Sequence, residues 1–251
     1  GQGGSYIHRI HYSAHPERNN DVWKRGAMSG LSLTKWEQEQ EISFDAVEDL
    51  VYSEFDPVRH ILQSEPPVSR ECKLYRAIDF GYRHPYVLWL MQNQEGHIMA
   101  FDEWAGKDRT TEEMMQAINA KDLSHGMTEI DMEWTACDPA GEALQDSGLS
   151  PVDILRARGV KIRYRPSRVS AGIECVKHAL SDARRQTKLY ISPRCKQLIS
   201  DFRRYKWDVR KEEPLKDGLS DHSLDALRYF FVNLETPDEQ LYAPRIAGMA
   251  R

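Results

Sequence analysis

From Lys73 onward the chain alternates between short apolar runs of strand length, each closed by a turn or a charged residue, and amphipathic stretches of helical period. KLYRAID (73–79), YVLWLMQNQ (86–94) and HIMAFDEW (97–104) read as three strands, the last two joined as a β-hairpin through Gln94-Glu95-Gly96. Together they predict an antiparallel meander. A helix is expected near 110–120, with Thr110 or Thr111 as its cap and Glu112 and Glu113 in its first turn, where the helix dipole favours acids. MEWTACD is then a strand that ends on Asp138. It is followed by a helix near 150–158, a strand at 160–165, a helix near 170–184, a strand at 188–192 and a helix near 193–204. A last helix spans 220–234, with Ser220 as its cap and Leu224, Leu227 and Phe231 as its core stripe. Strands that alternate with helices in this way predict an α/β fold, a mixed sheet flanked by helices.

The first 68 residues lack this rhythm. They are polar with scattered aromatics and one helical piece at 32–44, and EPPVSR (65–70) separates them from the rest of the chain. They read as a linker or arm, 69–235 as the folded domain, and 236–251 as a flexible tail. The start at Gly1, without Met, reads as a piece of a longer polypeptide. His8, His11 and His15 share a helical spacing, but with Pro16 beside them and no carboxylate pair nearby they read as solvated linker residues rather than a metal site. Cys72, Cys137, Cys175 and Cys195 form no paired metal-binding pattern and suit half-buried thiols in a reducing compartment. No apolar run approaches the length of a membrane span.

Three acids fall at comparable points of the predicted layout. Asp79 closes the first strand, Asp138 closes the strand after the hairpin and its helix, and Asp225 lies in the first turn of the last helix. Strand ends converge at one edge of an α/β sheet, which is where sites are built. Ionised carboxylates gathered there repel one another unless a divalent cation neutralises them, and hard oxygen donors suit Mg²⁺ or Mn²⁺. Two such ions about 4 Å apart can clamp a phosphodiester. Asp221, one turn before Asp225, is either a further ligand or a helix cap. His222, three residues before Asp225, is read as a site residue that assists proton transfer or orients Asp225. Asp102 and Glu103 read as a solvated strand end, with Glu103 the weaker candidate for a fourth acid.

AIDFGYRHPYVLWL, then WTACDPAG with SPVDILRARGVKIRYRPSRVSAGIECVKHAL, and finally SDHSLDALRYFF resemble the C-terminal nuclease domain of the large terminase subunit of tailed bacteriophages, within the ribonuclease H-like superfamily. WKRGAMSGLS and WEQEQEISF resemble the linker after the packaging ATPase in that family, so the resemblance covers nearly the whole chain. It implies that Asp79, Asp138 and Asp225 hold the divalent cations; a two-ion mechanism would place one ion between Asp79 and Asp138 and the other between Asp79 and Asp225. It also implies in-line hydrolysis of DNA that leaves a 5′-phosphate, and a histidine such as His222 before the last aspartate in some members. The chain contains no G-x-x-x-x-G-K-[ST] phosphate loop, and the resemblance implies that the motor is an ATPase domain of the same polypeptide outside these 251 residues. The implied partners are double-stranded DNA, the portal protein and the small terminase subunit, with no membrane. The implied setting is the host cytoplasm, docked on the procapsid and not in the mature virion, and the isolated domain is expected to be monomeric.

A net charge of −5 does not advertise nucleic-acid binding, so the substrate must meet local basic strips. Arg156, Arg158, Lys161, Arg163, Arg165 and Arg168 fall in one stretch free of acids, with Lys161, Arg163 and Arg165 on one strand face and Ile162 and Tyr164 on the other. Arg203, Arg204, Lys206, Arg210 and Lys211 flank Trp207 in what reads as a loop over the site. These cations predict phosphate contacts with little base preference. Two rival readings are another ribonuclease H-like enzyme, such as a junction resolvase or transposase, and a catalytically quiet module that docks on the portal or motor. Asparagine or alanine at an acid position would have favoured the second rival, and none is present.

Overall fold

The computed structural model describes residues 15–29, 31, 50–81, 83–144, 148–208, 213–215 and 221–234. The helix expected at 32–44, Arg210, Lys211, Ser220 and the tail from Thr236 lie outside them. A six-stranded mixed sheet runs in the order β5-β4-β1-β2-β3-β6. Its strands are β1 (Lys73–Asp79), β2 (Tyr86–Gln92), β3 (Ile98–Ala105), β4 (Met132–Cys137), β5 (Ile162–Arg163) and β6 (Leu189–Ile191). β1, β2 and β3 form the expected antiparallel meander, while β4 runs parallel to β1, β5 parallel to β4 and β6 parallel to β3. A separate two-stranded ribbon pairs β7 (Trp207–Asp208) with β8 (Glu213–Pro214).

Among the described residues the α-helices are α1 (Asp21–Ala27), α2 (Pro57–His60), α3 (Thr111–Ser124), α4 (Pro151–Ala157), α5 (Val169–Leu180), α6 (Lys196–Phe202) and α7 (His222–Leu234). α3 opens on a capping box. The Thr110 hydroxyl accepts from the Glu113 amide at 3.2 Å, and the Glu113 carboxylate accepts from the Thr110 amide at 2.9 Å. Ser150 and Asp153 repeat the device on α4. α5 and α6 are shorter than expected, α5 ending at Leu180 before a turn in which Arg185 takes a positive φ of 61°.

Strand parity sorts the side chains into two cores. Leu74 and Ile78 of β1 face α3 and α4 with Met114, Met115, Ile118, Val152 and Leu155. Tyr75 and Ala77 face the opposite way, into a core with Trp134 and Ala136 of β4 and with residues of α5, α6 and α7. α7 is buried on nearly all sides, and Leu224, Leu227 and Phe231 are 1%, 0% and 3% exposed, as their spacing predicts. Residues 50–62, read from composition as part of the arm, pack on this same core. Val51 and Tyr52 are buried, Leu50 bridges to Lys206, and Ile61 bridges to Ile191 at the edge of the sheet. Burial of about 25 cal/mol per Å² of apolar surface is what holds such a segment in place. None of the four cysteines is in a disulfide, and Cys137 and Cys195 are buried.

Candidate active site

Parity also decides where the strand-end acids point. Asp79 continues the Tyr75 and Ala77 side of β1, and Asp138 continues the Trp134 and Ala136 side of β4, so both turn toward α7. The two strands are parallel, with Ala77 opposite Ala136 and Ile78 opposite Cys137, which puts Asp79 and Asp138 on the next rung at the carboxyl ends of neighbouring strands. α7 begins beside them. Asp221, His222 and Asp225 line the same cleft of about 720 Å³ as Asp79 and Asp138, together with Arg165, Arg228 and Tyr229. The fold thus gathers in one place the five residues that the sequence singles out as candidates.

His222 donates from Nδ1 to Asp79 Oδ2 at 2.5 Å. Its partner is thus the strand-one acid rather than Asp225, the alternative that helical spacing favours. The hydrogen bond to Asp79 raises the His222 pKa against the opposing effect of burial, and burial raises that of Asp79 against the effect of the imidazole. Gly81 makes room for the ring. A Cβ at that position would stand 2.9 Å from His222 Cε1 and 3.0 Å from Nδ1. Gly81→Ala is therefore expected to push the imidazole off Asp79, and an NMR titration in EDTA should find the raised His222 pKa moved down toward the ordinary imidazole value; an unmoved titration means that the ring accommodates the methyl.

The other acids also rest on protein donors. Asp138 Oδ1 accepts from the Ala140 amide at 2.9 Å and Oδ2 from the Tyr229 hydroxyl at 3.0 Å. Asp225 Oδ1 takes Arg228 Nη2 at 2.8 Å and Nε at 3.2 Å. Burial, with Asp225, Asp79 and Asp138 nearby, pushes the Tyr229 phenol far above its ordinary range and keeps it a donor. Burial disfavours the Arg228 cation, but Asp225 together with Tyr229 and Tyr52 more than offsets this and keeps it charged. The backbone carbonyl of Asp221 accepts from the Asp225 amide at 2.7 Å, as a capping residue's does, yet its side-chain Oδ1 is buried without a hydrogen-bond partner.

Among the described residues no three acids, histidines or cysteines stand in a metal-holding arrangement. The donor set nevertheless fits a hard divalent cation. It offers carboxylate oxygens from four aspartates, one of them buried and unbonded, and no thiolate.

Asp102 and Glu103 depart from expectation. Neither is a solvated strand end and neither lines the cleft. Asp102 is 1% exposed and accepts from Lys121 at 2.7 Å, with His125 Nε2 at 2.8 Å. Glu103 accepts from the Tyr86 hydroxyl at 2.6 Å and from the amides of Gln197 and Leu198 at 2.7 and 3.1 Å, so it caps α6. The basic residues separate. Arg165 lines the cleft and Arg168 is exposed at the start of α5, whereas Lys161 Nζ reaches the Met132 carbonyl at 3.3 Å and the Arg163 guanidinium lies 5.0 Å from the centre of the Trp134 ring. Ile162 and Tyr164 pack on the opposite core, as the alternation predicts. Arg203 is exposed. Arg204, tied to Asp201 at 3.2 Å, lines a second cleft of about 260 Å³ that shares His222 with the first.

Residues 76–234 match the family model described as the terminase RNaseH-like domain, and that match spans β1 to α7 with every acid of the cleft inside it. The chain belongs to the terminase RNaseH-like domain family. The fold agrees. The large terminase of a thermophilic bacteriophage, also solved in complex with ADP, superposes with a TM-score of 0.68 at 20% identity, over 84% of this chain and 52% of that one. The nuclease domain of the P22 large terminase superposes at 0.56 and 16% identity over 72% of this chain and 90% of that one. The large terminase nuclease of the thermophilic phage G20c superposes at 0.50 and 12% identity over 74% and 98%. The chain thus spans about half the length of the first of these proteins. No curated protein matches it. No helix among the described residues of this terminase-family domain is long and apolar enough to cross a membrane.

Proposed function

We propose that the chain is a metal-dependent DNA endonuclease that cuts concatemeric viral DNA during genome packaging. The observation that carries this reading is the placement of Asp79 and Asp138 side by side at the ends of adjacent parallel strands, with Asp221, His222 and Asp225 lining the same cleft. Asp79, Asp138, Asp225 and Asp221 would hold two divalent cations, Mg²⁺ or Mn²⁺. When bound, such ions neutralise the scissile phosphate, activate a water and stabilise the leaving oxygen. The chain's own part is to hold the acids in register, to bring the backbone into the cleft, and to keep a protonatable imidazole beside Asp79. Water adds to phosphorus, the P–O3′ bond breaks, and the products are a 5′-phosphate and a 3′-hydroxyl. Arg165 in the cleft and Arg204 in the adjoining one, with the exposed Arg168 and Arg203, are the cations for DNA phosphates, and Lys161 and Arg163 extend that surface at the sheet edge.

In this reading residues 1–68 connect to an ATPase domain of the same polypeptide, 69–235 form the nuclease and 236–251 a tail. The large terminase solved with ADP, about twice the matched length, supports a nucleotide-binding part beyond these residues. Portal protein and small terminase subunit are the proposed partners, in the host cytoplasm on the procapsid, with the isolated domain monomeric. The test is incubation of supercoiled plasmid with Mn²⁺, Mg²⁺ or EDTA. Nicking and linearisation with either ion and none in EDTA is the expected result, and an inert chain under all three overturns the enzyme and favours a docking module. Duplex binding should weaken steeply with salt, by a slope of roughly 0.9 per phosphate neutralised.

A further inference from the structure

Two neighbours of Asp225 on α7 connect acids that lie far apart in the chain. The Arg228 guanidinium is bonded to Asp225 Oδ1 and lies 4.8 Å from the centre of the Tyr229 ring, and the Tyr229 hydroxyl donates to Asp138 Oδ2 at 3.0 Å. Asp225, Arg228, Tyr229 and Asp138 therefore form one continuous line of contacts from the helix to the end of β4. The line is braced from behind by α5. A Cβ on Gly172 would stand 2.4 Å from Arg228 Cγ and 2.7 Å from Cδ, so the Arg228 stem lies where only a glycine lets it pass. Arg228 and Tyr229 are 6% and 8% exposed, which leaves neither side chain room to swing away.

We propose that Tyr229, steadied by Arg228, is a positioning residue that sets the place of Asp138 relative to Asp225. The inference rests on the proposed role of these acids in cation binding. A carboxylate at a strand end turns freely about its side-chain bonds, and a backbone ladder fixes only its Cα. The Ala140 amide on Oδ1 and the Tyr229 hydroxyl on Oδ2 pin both oxygens of Asp138. An ionised carboxylate has about four lone-pair sites, so two remain for a cation when two donors are in place. Loss of a hydrogen bond that orients a metal-binding carboxylate weakens metal binding about 10- to 100-fold.

The test is calorimetric titration of Mn²⁺ alone into the full chain and into Tyr229→Phe, which keeps the ring and removes the hydroxyl. Mn²⁺ affinity is expected to fall about 10- to 100-fold with circular dichroism unchanged. In an Asp138→Ala chain the same Tyr229→Phe change should alter the residual Mn²⁺ affinity by no more than about twofold, a cancellation that a merely structural tyrosine would not show. Should Tyr229→Phe fail to fold, Arg228→Lys is read in the same way, because it keeps the charge but loses the fork and the flat face over the ring. Undiminished Mn²⁺ affinity in the folded variant overturns the inference alone. A wild-type chain that binds no Mn²⁺ overturns it together with the metal reading.

Discussion

Asp138→Ala is expected to lower metal-dependent plasmid cleavage by ~10³-fold or more while the domain stays folded. The size follows from the proposed role. A divalent cation contributes several kcal/mol of charge stabilisation to a phosphoryl transition state, and each 1.36 kcal/mol is about a factor of ten in rate. Asp138 is half-buried, its donors are one amide and one phenol, and alanine there leaves no charge stranded. Asp225 should show an equal loss of activity but is a less clean site. Its partner Arg228 is 6% exposed, and Asp225→Ala would leave that guanidinium buried without its carboxylate. Removing one member of a buried pair costs about 3–5 kcal/mol. Asp225→Asn keeps an acceptor for Arg228 and removes only the charge, so it separates the loss of chemistry from the loss of fold. Parallel measurement of cleavage rate and thermal unfolding decides it. Activity that survives in both Asp138→Ala and Asp225→Asn moves the site elsewhere.

The strand-end acids were legible because they depend on local rules. Alternation defines β1 and β4, and parity then carries Asp79 and Asp138 to the face that α7 covers. The hairpin, the Thr110 cap and the core stripe of α7 are equally local. What escaped the sequence depends on partners far along the chain. His222 finds Asp79 at a separation of 143 residues, while helical spacing could offer only Asp225. Glu103 ends a strand and looks solvated, but the amides it caps belong to residues 94 and 95 positions later. Arg228 and Tyr229 read as ordinary members of a buried helix, since no spacing rule marks a tyrosine that reaches a strand 91 residues earlier. The run of arginines at 156–168 reads as one strip, although only Ile162–Arg163 joins the sheet and each arginine then follows its own neighbour.

Arg76→Met is expected to be the most destabilising change away from the cleft. Arg76 is 0% exposed in the middle of β1, on the face opposite Asp79, where it pairs with Glu129 and with Asp122 at 3.5 Å. Asp122, 4% exposed, also accepts from Trp89 Nε1 at 2.8 Å, and burial raises its pKa against the pull of Arg76. Methionine has nearly the right length but leaves the buried Asp122 without its ion-pair partner. The cost of breaking a buried pair is about 3–5 kcal/mol, equivalent to a fall in unfolding temperature of roughly 6–20 °C for a domain of this size. Replacing both members is a different matter, because an apolar or neutral pair of similar volume leaves no stranded charge. Arg76→Met combined with Asp122→Asn keeps an acceptor for Trp89 and should recover most of the loss in thermal and urea unfolding. A double variant as unstable as Arg76→Met alone would show that Arg76 works through Glu129 or through packing, not through Asp122. Because β1 turns Arg76 and Asp79 to opposite faces, cleavage per folded molecule should stay near the wild-type rate in both variants.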